Sequence, residues 1–96
     1  MYTSIVAFEW DPHKALANFR KHGVRFSKAL SVFNDEYAIT VVDDESDLEE
    51  QRSVTIGMGL KGQVLVVVYS YRGEAIRIIS ARTAARSERR QYEEQR

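Results

Sequence analysis

Cysteine is missing from this 96-residue sequence, and with it go disulfides, thiolate nucleophiles and sulfur-ligated metal centres. Two histidines are present, too few for an ordinary zinc site, so neither a metal nor another cofactor is expected. Proline occurs once, and no low-complexity linker or internal repeat divides the chain. Long hydrophobic runs are lacking too, since nothing approaches the roughly 18 apolar residues of a membrane span. Residues 1–10 have neither the charged n-region nor the long apolar h-region of a signal peptide. A cytoplasmic protein with no membrane partner is the expectation. The motifs G-x-S-x-G, H-E-x-x-H, the P-loop and G-x-G-x-x-G are all absent, and Gly57-Met58-Gly59 has no third glycine. Serine hydrolase, zincin and nucleotide-fold readings therefore fail at the motif level.

An excess of charge of one sign is the last absence. Fourteen basic and fourteen acidic residues cancel, which taken alone argues against a nucleic-acid partner. Their distribution reverses that argument. Residues 35–50 hold Asp35, Glu36, Asp43, Asp44, Glu45, Asp47, Glu49 and Glu50 without a basic residue. Residues 72–90 hold Arg72, Arg77, Arg82, Arg86, Arg89 and Arg90 against Glu74 and Glu88. Such segregation permits a basic face beside an acidic one.

What is present suits one folded unit. An apolar content of 44% and a charged content of 29% are globular values, and this length supports one core, so residues 1–96 are read as a single domain. A short strand ends at Trp10. Asp11 as N-cap, Pro12 at the first helical position and Gly23 past the end delimit a helix over residues 12–22. Ser27 is placed to cap a second helix over 28–33 that buries Ala29, Leu30 and Phe33. The β-branched segment 37–42 reads as a strand and the acidic segment 43–50 as a loop. Residues 53–60 alternate, with Val54, Ile56, Met58 and Leu60 on the expected buried face. After Ser80 the helix formers of 84–94 predict a terminal helix whose one large apolar side chain, Tyr92, would dock it weakly. The order is α+β, with a mostly antiparallel meander sheet of four to five strands, two N-terminal helices and a C-terminal helix.

Residues 64–82 form the hairpin around which this plan turns. Two β-branched runs flank Gly73, and the return strand carries Arg77 among isoleucines. A guanidinium cannot shed its charge, so Arg77 requires either a carboxylate partner or a surface that receives an anion. An odd loop length would place Tyr69 opposite Arg77, and that register is the expectation. Around it stands a basic and polar set: Lys14, Asn18, Lys21 and His22 on the first helix, Arg52 before the central strand, and Arg82 and Arg86 beyond the hairpin. Each has a plain alternative: solvation for Lys14 and Lys21, complementing the helix dipole for His22, and pairing with acidic residues for Arg52 and Arg77. Together they fit metal-free RNA cleavage, in which a 2′-hydroxyl loses a proton, phosphate charge is neutralised and the leaving 5′-oxygen is protonated.

Phe8-Glu9-Trp10-Asp11-Pro12, followed by Lys14, Asn18, Lys21-His22-Gly23-Val24, Phe26, Ala29, Val32-Phe33 and Asp35, resembles the opening of the BrnT family. That family is the toxin half of a bacterial type II toxin-antitoxin pair. Glu50-Gln51-Arg52, Ile56-Gly57, residues 65–69, Arg77-Ile78-Ile79-Ser80-Ala81-Arg82 and residues 88–92 look like the rest of it, so the resemblance runs from residue 8 to residue 93. It implies a RelE-like fold and a ribonuclease that arrests translation. It also implies a BrnA-like ribbon-helix-helix antitoxin in a heteromeric complex, with two copies of each as one arrangement, and operator DNA reached only through that antitoxin. The acidic loop lacks the histidine often found there in relatives, which leaves the loop without that catalytic candidate. On this reading Arg77 and Arg82 hold the scissile phosphate, Arg52 assists, and His22 or Lys14 moves a proton. Tyr69, Asn18, Lys21 and Arg86 bind substrate. The competing expectations are a non-catalytic interaction module or co-repressor, and a nucleic-acid binder without activity.

Overall fold

A computed structural model describes residues 7–43 and 51–96; residues 1–6 and most of the expected acidic loop, residues 44–50, lie outside that description. Local signals set the first elements. After strand β1 (Ala7–Glu9) comes helix α1 (Pro12–His22). The Asp11 carboxylate accepts the His13 and Lys14 N–H groups at 2.8 and 3.3 Å. Gly23, at φ 73°, closes the helix by donating its N–H to Phe19 at 2.7 Å, a left-handed conformation that favours glycine.

The second helix departs from expectation. Helix α2 is Phe26–Ala29 and runs into a 3-10 helix, Leu30–Asn34, while Arg25 occupies the cap position without a side-chain bond. Burial explains the shift. Phe26, Ala29 and Val32 are all buried, and their three-residue spacing aligns them in a helix of about three residues per turn. The first helical position is thus fixed by Phe26, and Ser27 is inside the helix. Strand β2 is Ile39–Asp43, later than the expected start at Tyr37. Asp35 turns the chain there, accepting the Tyr37 N–H on its carboxylate at 3.0 Å and the Ala38 N–H on its carbonyl at 3.1 Å.

Strands β3 (Arg52–Met58), β4 (Val64–Arg72) and β5 (Ala75–Thr83) follow, and helix α3 (Arg86–Glu93) ends the fold. The sheet order is β1-β5-β4-β3-β2, antiparallel from β2 through β5, with β1 parallel to β5. The sheet is therefore mixed and not a pure meander. Along β5, strand β1 pairs only with residues 75–77, and Asn18 serves the edge beyond it. Its amide donates to the Ala81 carbonyl at 2.8 Å and accepts the Ala81 N–H at 3.1 Å, as a neighbouring strand would.

Both sheet faces are covered in part. α1, α2 and the 3-10 helix close over Leu65, Val67, Tyr69, Ile76, Ile78 and Ala81. On the other face Tyr92 of α3 packs with Ile56, Val64 and Val66. In β3 the polar residues are as buried as the apolar ones: Ser53 and Thr55 are 6% and 2% exposed against 7% for Ile56, while Leu60, expected on the buried face, lies past the end of the strand and is 77% exposed. The hydroxyls there satisfy one another, since Thr55 Oγ1 lies 2.8 Å from both Thr40 Oγ1 and the Tyr69 hydroxyl. Gly57 completes the face of Ser53 and Thr55 by letting the 3-10 helix approach, because a Cβ there would sit 2.9 Å from the Val32 Cβ.

The hairpin register is also corrected. Arg77 faces Ser70, and Tyr69 faces Ile78. The turn is the two-residue Gly73-Glu74, and the register shifts between Val68 and Tyr69, leaving Ile79 as the extra residue of β5. This bulge reverses the alternation of the strand. Ile76, Ile78 and Ala81 thereby share the helix-covered face, while Arg77, Ser80 and Arg82 share the opposite one.

Candidate active site

Residues opposite one another across neighbouring strands project from the same face. The pairs Arg52↔Ser70, Ser70↔Arg77 and Glu9↔Arg77 thus make one transverse row, Arg52, Ser70, Arg77, Glu9, across four strands. Strands lie about 4.8 Å apart, so the two arginine Cα atoms are separated by roughly 10 Å, within reach of one phosphate for two long side chains. Arg77 Nη1 stands 3.6 Å from Glu9 Oε2, and the two side chains are 27% and 44% exposed. This is a loose, solvent-accessible ion pair, not a buried one. Arg52 is exposed at the start of β3, and Ser70 between the arginines is fully buried.

Arg82, on the same face of β5, is held firmly. Its two terminal nitrogens donate to the two carboxylate oxygens of Glu88 at 2.7 and 2.8 Å, the planar fork that guanidinium and carboxylate form best. The bonds from Arg82 are the main reason that Glu88 is drawn down to about 2; burial opposes them and the Ala85 N–H, donated at 2.8 Å, adds to them. The same bonds raise Arg82. Arg86, the first residue of α3, is exposed.

The remaining expected site residues lie on the helix side of the sheet. Tyr69 is 3% exposed, bonded to Thr55 and edge-on to Phe33 at 5.0 Å. The Asn18 amide is used by the backbone, donating to Val24 and Ala81 and accepting from Ala81. Lys14 and Lys21 are exposed on α1, and His22 is half-buried in its last turn. The expected set therefore divides into an arginine group on one side of the sheet and an α1 group with Tyr69 on the other. Glu9, beside Arg77, was not among the candidates. Its signal was a carboxylate in the first strand, but the parallel pairing that brings it to Arg77 cannot be read from local sequence.

Among the described residues no group of three or more His, Asp or Glu is placed to hold a metal ion, and no helix is long and apolar enough to cross a membrane. A family model described as the ribonuclease toxin BrnT of type II toxin-antitoxin systems matches residues 10–88. Among solved structures, the crystal structure of the Brucella abortus ribonuclease toxin BrnT matches with a TM-score of 0.64 and 24% identity. The match covers 86% of this chain and 100% of that one, and it establishes the likeness of fold. No curated protein matches. The family match spans most of the chain and takes in α1, the arginine row from Arg52 to Arg77, and the Arg82–Glu88 pair: the chain belongs to the BrnT family of ribonuclease toxins of type II toxin-antitoxin systems.

Proposed function

We propose that this chain cleaves RNA without a metal ion, arrests translation in the cytoplasm, and is neutralised by a BrnA-like ribbon-helix-helix antitoxin. Operator DNA is reached only through that antitoxin. The observation that carries the reading is the row Arg52, Ser70, Arg77 and Glu9. Two guanidiniums of permanent charge can neutralise the non-bridging oxygens of a phosphate, the task otherwise given to a metal ion. A phosphate arriving at Arg77 displaces Glu9 from its 3.6 Å pairing. The freed carboxylate then takes the proton of the neighbouring 2′-hydroxyl. The 2′-oxygen attacks phosphorus, the bond to the 5′-oxygen breaks, and that oxygen leaves with a proton from solvent.

Arg82 supports this group by tying α3 to the sheet through Glu88. Arg86, exposed at the start of α3, is available to the RNA backbone. Lys14, Lys21 and His22 lie across the sheet on α1 and take no part in the proton transfers at this row. The test is expression of the chain alone and RNA cleavage by the purified protein. Growth arrest and cleavage that persist in chelator are the expected results. Activity that vanished in chelator and returned with magnesium would overturn the metal-free reaction. Intact RNA alongside tight binding to the antitoxin would favour the non-catalytic interaction module.

A further inference from the structure

The helix side of the molecule carries a surface that the proposed reaction does not use. A hollow of about 210 Å³ lies between the start of α2 and the β3–β4 turn, lined by Phe19, Val24, Leu60 and Leu65 with Arg25, Lys28 and Lys61 around it. A second hollow of about 280 Å³ shares Phe19 and Arg25 with the first and reaches Trp10 and Leu16. Leu60 and Leu16 are 77% and 47% exposed. Among the described residues no carboxylate forms an ion pair with Arg25, Lys28 or Lys61. Gln63 also lines the first hollow, and its Oε1 is buried with no hydrogen-bond partner. A buried acceptor left unpaired is unfavourable, and a donor supplied from outside would relieve it.

We infer that this double hollow docks an acidic, amphipathic segment of the antitoxin, with aliphatic side chains on its floor, carboxylates on the three cations, and an N–H donated to Gln63. The inference rests on the toxin reading above and assigns that toxin's partner a place. Charge complementarity selects an acidic occupant, and exposed leucines beside an apolar floor select a peptide. RNA fits less well. Single-stranded nucleic acid binds by stacking bases on aromatic faces, and here the Arg25 guanidinium already lies over the Phe19 ring at 4.1 Å. The hollow opens on the helix side while the arginine row faces the other way, so docking and catalysis are separable by substitution.

The experiment combines Lys28→Glu, Lys61→Glu and Leu60→Asp in one variant, all three at exposed side chains. Toxicity is measured with the variant alone, and the Kd for the antitoxin by calorimetry. Unchanged growth arrest with at least a hundred-fold weaker antitoxin binding is expected, together with failure of neutralisation on co-expression. A second variant, Gln63→Leu, removes the unpaired acceptor and should weaken binding about tenfold without lowering thermal stability. Antitoxin affinity unchanged in both variants overturns the inference. Loss of RNA cleavage with antitoxin affinity intact also overturns it, and assigns the surface to RNA. If the parent chain fails to arrest growth, the toxin reading fails by itself, while the calorimetric comparison still tests the docking surface.

Discussion

At the residue scale, Arg77 resolves into a charge with a partner it can release. Its ion pair with Glu9 is 3.6 Å long and open to solvent, and an exposed pair of this kind contributes little to stability. Replacing Arg77 by alanine should therefore leave folding nearly unchanged while lowering RNA cleavage by about 10²–10³-fold, the usual effect of losing one donor to a developing oxyanion. Full toxicity in a folded R77A protein would remove Arg77 from the site. Glu9→Gln separates charge balance from proton transfer. The amide keeps the shape but accepts no proton, and cleavage should fall by about 10²–10⁴-fold. If E9Q cleaves RNA at the parent rate, Glu9 only neutralises Arg77.

Gly57 is a residue of a different sort, required by packing and not by backbone conformation. A Cβ at that position would meet the Val32 Cβ at 2.9 Å and the Ala38 Cβ at 3.3 Å, and neither short side chain can swing away. Gly57→Ala should destabilise the protein by about 1–3 kcal/mol through overpacking, read as a lower midpoint in denaturant unfolding. An unchanged midpoint would mean that the 3-10 helix shifts freely.

At the element scale, the sequence is most legible where one residue type dictates one conformation. Asp11, Pro12 and Gly23 bound α1 at both ends as expected, because capping is local chemistry. The hairpin is legible as a hairpin, but its bulge at Ile79 is not. Three consecutive residues, Ile78, Ile79 and Ser80, carry no mark of which is extra, and only packing under the helices decides that Ile78 and Ala81 both face inward. That decision moves Arg77 and Arg82 onto one face, where strict alternation would have divided them.

Helix α3 shows the same limit. Composition predicts weak docking, yet Tyr92 is 1% exposed and its hydroxyl donates to Asp35 at 2.5 Å. Burial, and then that hydrogen bond, push Tyr92 up to about 12. Its folded value lies above its ordinary 10, so its contribution is complete below pH 10 and is lost as pH rises toward 12. Tyr92→Phe should cost about 1–2 kcal/mol, the penalty for leaving a carboxylate oxygen short of a donor, and should flatten the alkaline part of the stability profile. A Y92F profile that still falls between pH 10 and 12 as the parent's does would show that another group is responsible.

At the scale of the whole molecule, the sheet is held from opposite sides by polar contacts distant in sequence, which is why the architecture was less legible than its parts. Asn18 bonds Ala81 across 63 positions, and Asp35 receives both Tyr92 and the Met58 N–H, the latter at 2.9 Å. Helix layers, hairpin and C-terminal helix thus depend on carboxylates and amides that local periodicity does not rank. Acid stability follows from this arrangement. Glu88 falls to about 2 from 4.5, chiefly through the Arg82 bonds. Burial works against ionised Asp35, but the bonds from Tyr92, Met58 and Tyr37 outweigh it and lower Asp35 as well. Both folded values lie below the unfolded ones: Glu88's contribution is present above about pH 4.5 and is lost as pH falls toward 2, and Asp35's is present above its ordinary 3.8 and is lost as pH falls below it. For the partly exposed Glu88–Arg82 pair, solvent screening leaves about 1–2 kcal/mol. Unfolding midpoints measured from pH 6 to pH 2 should fall steeply below pH 4.5 in the parent. In Glu88→Gln the midpoint should be lower at pH 6, and the parent and variant curves should converge near pH 2. Curves that stay parallel across that range would show that the Arg82–Glu88 fork does not couple α3 to the stability of the sheet.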